Sequence, residues 1–206
     1  MLTSPINTLR DHLRAEGFAA AGASLIAARM DVSGADWRGF AASWNDLEPD
    51  AHMADGGRYR RRRFGVASLA GGVITPQPRQ PHFQTKDANP LNGGIDRWFA
   101  PMAPARMTAG PMAAAISLCR DVFELDAGAG APEPAWRIEA HQFRIEAREG
   151  QAGLPTPEGV HRDGVDWAFV MLVGRENTAG GVTTIFDPER RPLGAFRLAE
   201  PMEAVF

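Results

Sequence analysis

From residue 135 to the C-terminus, apolar and polar residues alternate in short stretches separated by turn signals about every ten residues. Residues 135–148 alternate, LPTPEG turns, and residues 165–173 form a strongly apolar run. Residues 182–186, 195–198 and 203–206 follow as further short strands, with TAGG at 178–181 and DPERRP as turns between them. A period of two puts alternate side chains on opposite faces, so this half of the chain predicts a sheet. The first part reads differently. Ser4, Pro5 and Gly17 bracket a helix as N-cap, first-turn proline and C-terminal glycine. Residues 18–25 suggest a short strand. Residues 33–47 read as a helix, with Trp37, Phe40, Ala41 and Trp44 at helical spacing and Pro49 ending it. Residues 112–125 read as a helix with Ile116, Cys119, Val122 and Phe123 on its apolar side, broken by GAGAPEP. Residues 72–101, rich in Pro, Gly, Asn and Gln, read as long loops. Helices first and strands later predict an α+β fold with a sheet sandwich or barrel at its core.

Composition narrows the class. The length of 206 residues suits one domain of ordinary size. The longest apolar stretch, WAFVMLV at 167–173, is far short of the roughly 20 residues a membrane helix needs. The N-terminal segment lacks the layout of a secretory signal, and Cys119, alone, makes no internal disulfide; both suit a cytoplasmic protein. A net charge of -3 argues against nucleic acid as the partner. The basic residues are arginines apart from Lys86, and RYRRRRFGV at 58–66 concentrates them. As a strand, it turns Tyr59, Arg61 and Arg63 one way and Arg60, Arg62 and Phe64 the other. Such a run either contacts phosphates or forms a sheet edge whose arginines meet the chain's own carboxylates; the acidic total charge favours the second.

The sharpest local feature is PTPEGVHRDG, which holds His161 and Asp163. In an extended segment these two side chains point the same way, so an imidazole and a carboxylate can reach one metal ion. They would be two corners of a 2-His-1-carboxylate triad. The spacing alone has little specificity, since about 0.6 such pairs are expected by chance from 5 histidines and 25 acids in this chain. A surface turn set by Pro155, Pro157, Gly159 and Gly164 is the competing reading.

Further motifs stand around this pair in a definite order: RYRRRRF at 58–64, FQTKDANPLNGG at 83–94, HQFRIEA at 141–147, then VHRDG and NTAGG. With them the chain resembles the Fe(II)/2-oxoglutarate-dependent dioxygenases that include bacterial L-isoleucine hydroxylase and related free amino-acid hydroxylases. The resemblance implies a double-stranded β-helix (jelly-roll, cupin-like) core with the N-terminal and central helices outside it. It implies Fe(II) as metal, 2-oxoglutarate as cosubstrate and O2 as oxidant. The reaction would hydroxylate a small substrate such as a free L-amino acid and release succinate. His161 and Asp163 match the family's first two iron ligands. Its distal histidine and following arginine have no counterpart, because no histidine follows His161 and the last arginine is Arg197. The expectation is a single dioxygenase-like domain over residues 1–206, C-terminally incomplete. A non-catalytic jelly-roll binding or stress-response protein is the reading from another class.

Other candidates follow from strand parity. Trp136, Ile138, Ala140, Gln142 and Arg144 share one face. If that face lines the interior, Gln142 and Arg144 converge on the metal and Arg144 grips a substrate or cosubstrate carboxylate; a bulge would turn both to solvent. His141, on the opposite face, reads as a packed or surface residue. Thr183 is a candidate pocket hydrogen-bonding residue. Asp166 is expected to pair with an arginine, Trp167 to sit in the barrel core and Cys119 to be a small core residue. Oligomeric state is open, with a homo-oligomer one option.

Overall fold

In this computed structural model, residues 4–124 and 134–206 are described. The first elements are α1 (Pro5–Glu16), β1 (Ala20–Ala21), α2 (Ala23–Met30), α3 (Gly34–Ala42), a 3-10 turn (Ser43–Asp46), β2 (Glu48–Pro49), β3 (Arg60–Ala70) and β4 (Val73–Pro76). Then come α4 (Pro104–Thr108), α5 (Gly110–Phe123), β5 (Trp136–Ile145), β6 (Val170–Met171), β7 (Thr183–Phe186), β8 (Pro192–Phe196) and β9 (Ala204–Val205). The named strands pair antiparallel throughout. The chain divides into two compact units. One comprises Met1–Val32, Ala114–Ala129 and Trp167–Phe206, the other Ser33–Ala113 and Gly130–Asp166. Among the described residues no helix is long and apolar enough to cross a membrane.

In the first unit, α1 buries Ile6, Leu9 and Leu13, and Gly17 ends it at φ 77°, its N–H donating to the Leu13 carbonyl. Ser4 occupies the N-cap without a side-chain bond. The strand expected over 18–25 shrinks to β1, and α2 takes over from Ala23. Its sequence ASLIAARM consists mainly of strong helix formers, and Ile26 and Met30 are the buried side of that helix. β9 lies between β1 and β6. The long strand expected over 165–173 is limited to Val170 and Met171 because β9 offers only Val205 and Ala204 to pair with them. Trp167, expected in a barrel core, is 37% exposed and stacks on Phe123 at 5.0 Å. β7 and β8 form a hairpin with a register shift at Ile185/Phe186. Cys119 lies on α5, and burial pushes its thiol pKa up. The GAGAPEP segment expected to end that helix lies, apart from Pro134, outside the described residues.

The second unit is built on β3. The arginine-rich strand is central rather than an edge. One side pairs with β5 from Arg60↔Ile145 to Leu69↔Trp136. The other side pairs in turn with β2, with the backbone of Ala100 and Met102 at Phe64, and with β4. Residues facing each other across an antiparallel pair share a sheet face. Arg60, Arg62, Phe64 and Val66 therefore stand with Ile145, Phe143, His141 and Glu139. The opposite face carries Arg61, Arg63, Gly65 and Ala67 with Arg144, Gln142, Ala140 and Ile138. Met102 and Met107 pack with Ala67 and Ala140 on that second face, and Phe99 packs with Phe64 and Val66 on the first. The helix expected over 33–47 is α3 and the 3-10 turn. Ser33 caps α3 by accepting the Asp36 N–H.

The arginines meet the chain's own acids. Arg60 Nε donates to Asp50 Oδ2 at 2.7 Å, and Arg61 Nε to Glu146 Oε1 at 3.1 Å. Tyr59, the sole tyrosine, is buried and donates its hydroxyl to Asp55. Burial and that acceptor push the phenol up to about 12. A folded pKa above the unfolded value of about 10 contributes stability that is fully present below pH 10 and is lost as pH rises through about 12. The absorbance of native protein at 295 nm should accordingly titrate near pH 12, and that of urea-unfolded protein near 10. Titration of the folded chain at the ordinary value would show that Tyr59 is solvated.

Candidate metal centre

The segment between β5 and β6 has no regular structure, and Gly159 and Gly164 each turn it at φ 72°. The His161 side chain is fixed from within this loop. Because a carbonyl only accepts, Nδ1–H donates to the Gly159 oxygen at 2.9 Å. Nε2 is thereby directed to within 3.3 Å of Asp163 Oδ1 and 4.0 Å of Glu158 Oε1. The loop is tied in turn to the 83–94 motif. Asn89 Nδ2 donates to Glu158 Oε1 at 3.0 Å, and Gln84 Nε2 to the Asp163 carbonyl at 3.4 Å. Gln84 Oε1 accepts from Asn89 at 3.2 Å and from Arg97 Nη2 at 2.6 Å.

Two negative neighbours surround the ring. The Asp163 bond, then the Gly159 carbonyl and the Glu158 charge, raise the His161 pKa to about 9 against the opposing effect of burial. Asp163 is held below the usual carboxylate range chiefly by its bond to His161, with a smaller effect from the charge of His82. An environment that stabilises a proton on an imidazole has the sign that stabilises a metal cation in its place.

A second group of donors lies in this unit, on the β3–β5 face that carries Arg62 and Phe64. One donor atom each from His82, Glu139 and His141 fall within 4.8 Å of one another, a His-Glu-His set. His82 Nδ1 is 2.9 Å from Glu139 Oε2, and His141 stacks on Phe64 at 4.7 Å. Here the field has the other sign. Arg62 Nη2 donates to His141 Nδ1 at 2.7 Å. Burial, followed by the charges of Arg62, His82, Arg97 and Arg60, pushes the His141 pKa well below its ordinary value. Sequence reasoning passed over this set and took His141 for a packed residue. Glu139 and His141 nevertheless have the i, i+2 spacing that singled out His161 and Asp163; His82 carries no such local signal.

The parity of β5 is as expected, with His141 opposite Gln142 and Arg144, but the imidazole cluster forms on the His141 face. Gln142 is 1% exposed and donates from Nε2 to Ser43 Oγ at 2.9 Å, which ties the sheet to the 3-10 turn. Arg144 reaches Asn45 Oδ1 at 3.1 Å and Glu146 Oε1 at 3.2 Å. The structure therefore does not gather Gln142 and Arg144 with His161 and Asp163. Thr183 is an exposed residue of β7, in the other unit.

Gly93 closes the 83–94 loop where a side chain has no room. A Cβ there would lie 2.4 Å from the Thr85 carbonyl oxygen and 2.5 Å from that of Asn89. Gly93→Ala should destabilise the protein by about 1–3 kcal/mol, the usual cost of forcing atoms into packed structure. Urea unfolding measures this, and an unchanged midpoint would contradict so tight a closure.

An imidazole and a carboxylate presented together from one loop, beside an antiparallel sheet, are the donor chemistry of a metal-dependent enzyme. Residues 41–206 match the 2OG-Fe dioxygenase family, and the chain belongs to it. Enzymes of this family use Fe(II), 2-oxoglutarate and O2. A bsmA homolog from Methylobium petroleophilum PM1 is similar in structure, with TM-score 0.82 and 31% identity over 99% of this chain and 81% of that one. IDO from Bacillus thuringiensis has TM-score 0.76 and 17% identity over 97% of this chain and 84% of that one, a likeness of fold. No curated protein sequence matches significantly.

Proposed function

We propose that this chain is a 2-oxoglutarate-dependent hydroxylase in which His161 and Asp163 hold the iron, acting on a small substrate such as a free L-amino acid. The observation that carries the reading is the fixed imidazole: Nδ1 is committed to the Gly159 carbonyl, and Nε2 stands 3.3 Å from Asp163 Oδ1. A backbone carbonyl behind a ligand histidine sets its tautomer and ring orientation. The neighbouring Glu158 carboxylate fits the donor set to a dication rather than to an anion. The reading takes both compact units as one dioxygenase domain, since the family match runs through both. It takes the strands as parts of a jelly roll, consistent with their antiparallel pairing.

The chemistry supplied at such a centre is oxidative decarboxylation of 2-oxoglutarate to succinate, coupled to hydroxylation of a substrate C–H bond. The chain's own residues prepare for it. Gly159 holds the His161 proton on Nδ1 and leaves the Nε2 lone pair for the metal. Gln84 and Asn89 brace the loop at the Asp163 backbone and the Glu158 side chain. A second reading places the metal on His82, Glu139 and His141, and is favoured by the completeness of that donor set.

The test is Fe(II)-dependent succinate formation from 2-oxoglutarate with a panel of free L-amino acids and short peptides. Substrate-stimulated succinate with a free amino acid is expected. Iron-dependent turnover with peptides alone would shift the substrate class, and no iron-dependent turnover would favour a binding protein on the same fold.

A further inference from the structure

Three arginines of the second unit are buried beyond nine-tenths: Arg60 at 5% exposure, Arg62 at 4% and Arg97 at 2%. They gather around Asp50 and the Phe99 ring. Arg60 Nε donates to Asp50 Oδ2 at 2.7 Å, and Arg62 Nη1 stands 3.9 Å from the same oxygen. The Arg62 guanidinium lies 3.6 Å from the Phe99 ring centre and 4.6 Å from that of Phe143, which leaves its N–H edge for hydrogen bonding. Arg97 lies 5.8 Å from the Phe99 centre. Each guanidinium has one protein acceptor on that edge: Asp50 for Arg60, His141 Nδ1 for Arg62 and Gln84 Oε1 for Arg97.

What remains is one-sided. Arg60 Nη2, Arg62 Nε and Arg97 Nε are buried with no hydrogen-bond partner. All three are charged donors, and such groups are costly to leave unpaired away from water. The partner they call for is an acceptor, and the excess of guanidinium over the one fully buried carboxylate, Asp50, calls for negative charge. Burial already lowers the Arg62 pKa to about 9 and that of Arg97 below its usual value, a strain that a bound anion would relieve. In contrast, the unpartnered acceptor Glu158 Oε2 belongs to the carboxyl group facing His161.

We infer that Arg60, Arg62 and Arg97 form a buried anion site that takes the carboxylate of a small organic acid, one hydrogen-bonded residue (Gln84) away from Asp163. The planar fork of guanidinium matches a carboxylate in two parallel hydrogen bonds. Choosing carboxylate over phosphate rests on the proposed hydroxylase function, in which both cosubstrate and amino-acid substrate carry that group. The site replaces Arg144 in this role, because the Arg144 guanidinium is already paired with Glu146 and Asn45.

The experiment is calorimetric titration of the metal-free protein in EDTA with 2-oxoglutarate, L-isoleucine and inorganic phosphate in separate arms. Absence of metal separates this inference from the assignment of His161 and Asp163. Saturable binding of either carboxylate is expected; 2-oxoglutarate alone would mark a cosubstrate site, and the amino acid alone a substrate site. Arg97→Lys, which keeps the charge but loses the fork, should weaken that binding tenfold or more, and Arg62→Met should abolish it. Melting curves identify any variant that does not fold, and Arg97→Lys serves if Arg62→Met fails. The inference is overturned if neither carboxylate binds the wild type, if phosphate binds more tightly than both, or if Arg144→Gln loses binding while folded Arg97→Lys keeps it.

Discussion

His161→Ala should weaken Fe(II) binding by more than about a hundredfold and abolish 2-oxoglutarate turnover, with little change in folding. Loss of outer partners of metal ligands alone costs about 10–100-fold, so removal of a ligand nitrogen should exceed that range. The substitution deletes the one nitrogen aimed at Asp163 Oδ1 and leaves a carboxylate that is 57% exposed and easily hydrated. Co(II) absorption or anaerobic Fe(II) titration reads the effect directly. His141→Ala is the counterpart: with iron on His161 and Asp163, that variant keeps the metal. The electrostatic reason is the Arg62 guanidinium, 2.7 Å from His141 Nδ1, where a second cation would be repelled. Metal lost from His141→Ala and kept by His161→Ala would move the centre to His82, Glu139 and His141.

Asp50→Asn is the largest expected loss of stability, about 3–5 kcal/mol, the range found when one partner of a buried ion pair is removed. The Asp50 side chain is fully buried beside Arg60 and Arg62, and its other oxygen accepts the His52 backbone N–H at 2.8 Å. Asparagine preserves the volume and one acceptor, so the charge is what changes. Two guanidiniums would then remain in the interior with no carboxylate between them. Urea unfolding decides the matter. A loss below about 1 kcal/mol, the scale of an exposed pair, would mean that water reaches these arginines in the folded protein.

The same arginines show where reading along the chain stops. Their alternation was legible, and Arg60, Arg62 and Phe64 do share a face. Nothing near them in sequence announced that this face would be buried, because Asp50 and Phe99, which make burial tolerable, arrive from separate segments. The α1 boundaries were legible because Pro5 and Gly17 act through their own backbone geometry. The run from Ala23 to Met30 was not, since a short apolar stretch suits a strand or a helix until its neighbours are known.

Order along the chain was enough to say which side chains go together on each strand, that His161 and Asp163 face one point, and, through the succession of motifs, which family the chain resembles. These follow from covalent geometry and near neighbours. It took the folded chain to choose which face of the β3–β5 sheet carries the imidazoles, to bring His82 to Glu139 and His141, and to turn Gln142 and Arg144 toward Ser43 and Asn45. Parity is a property of one strand. Which parity is covered depends on segments dozens of residues away, and their docking is settled by packing and by the pairing of buried charge.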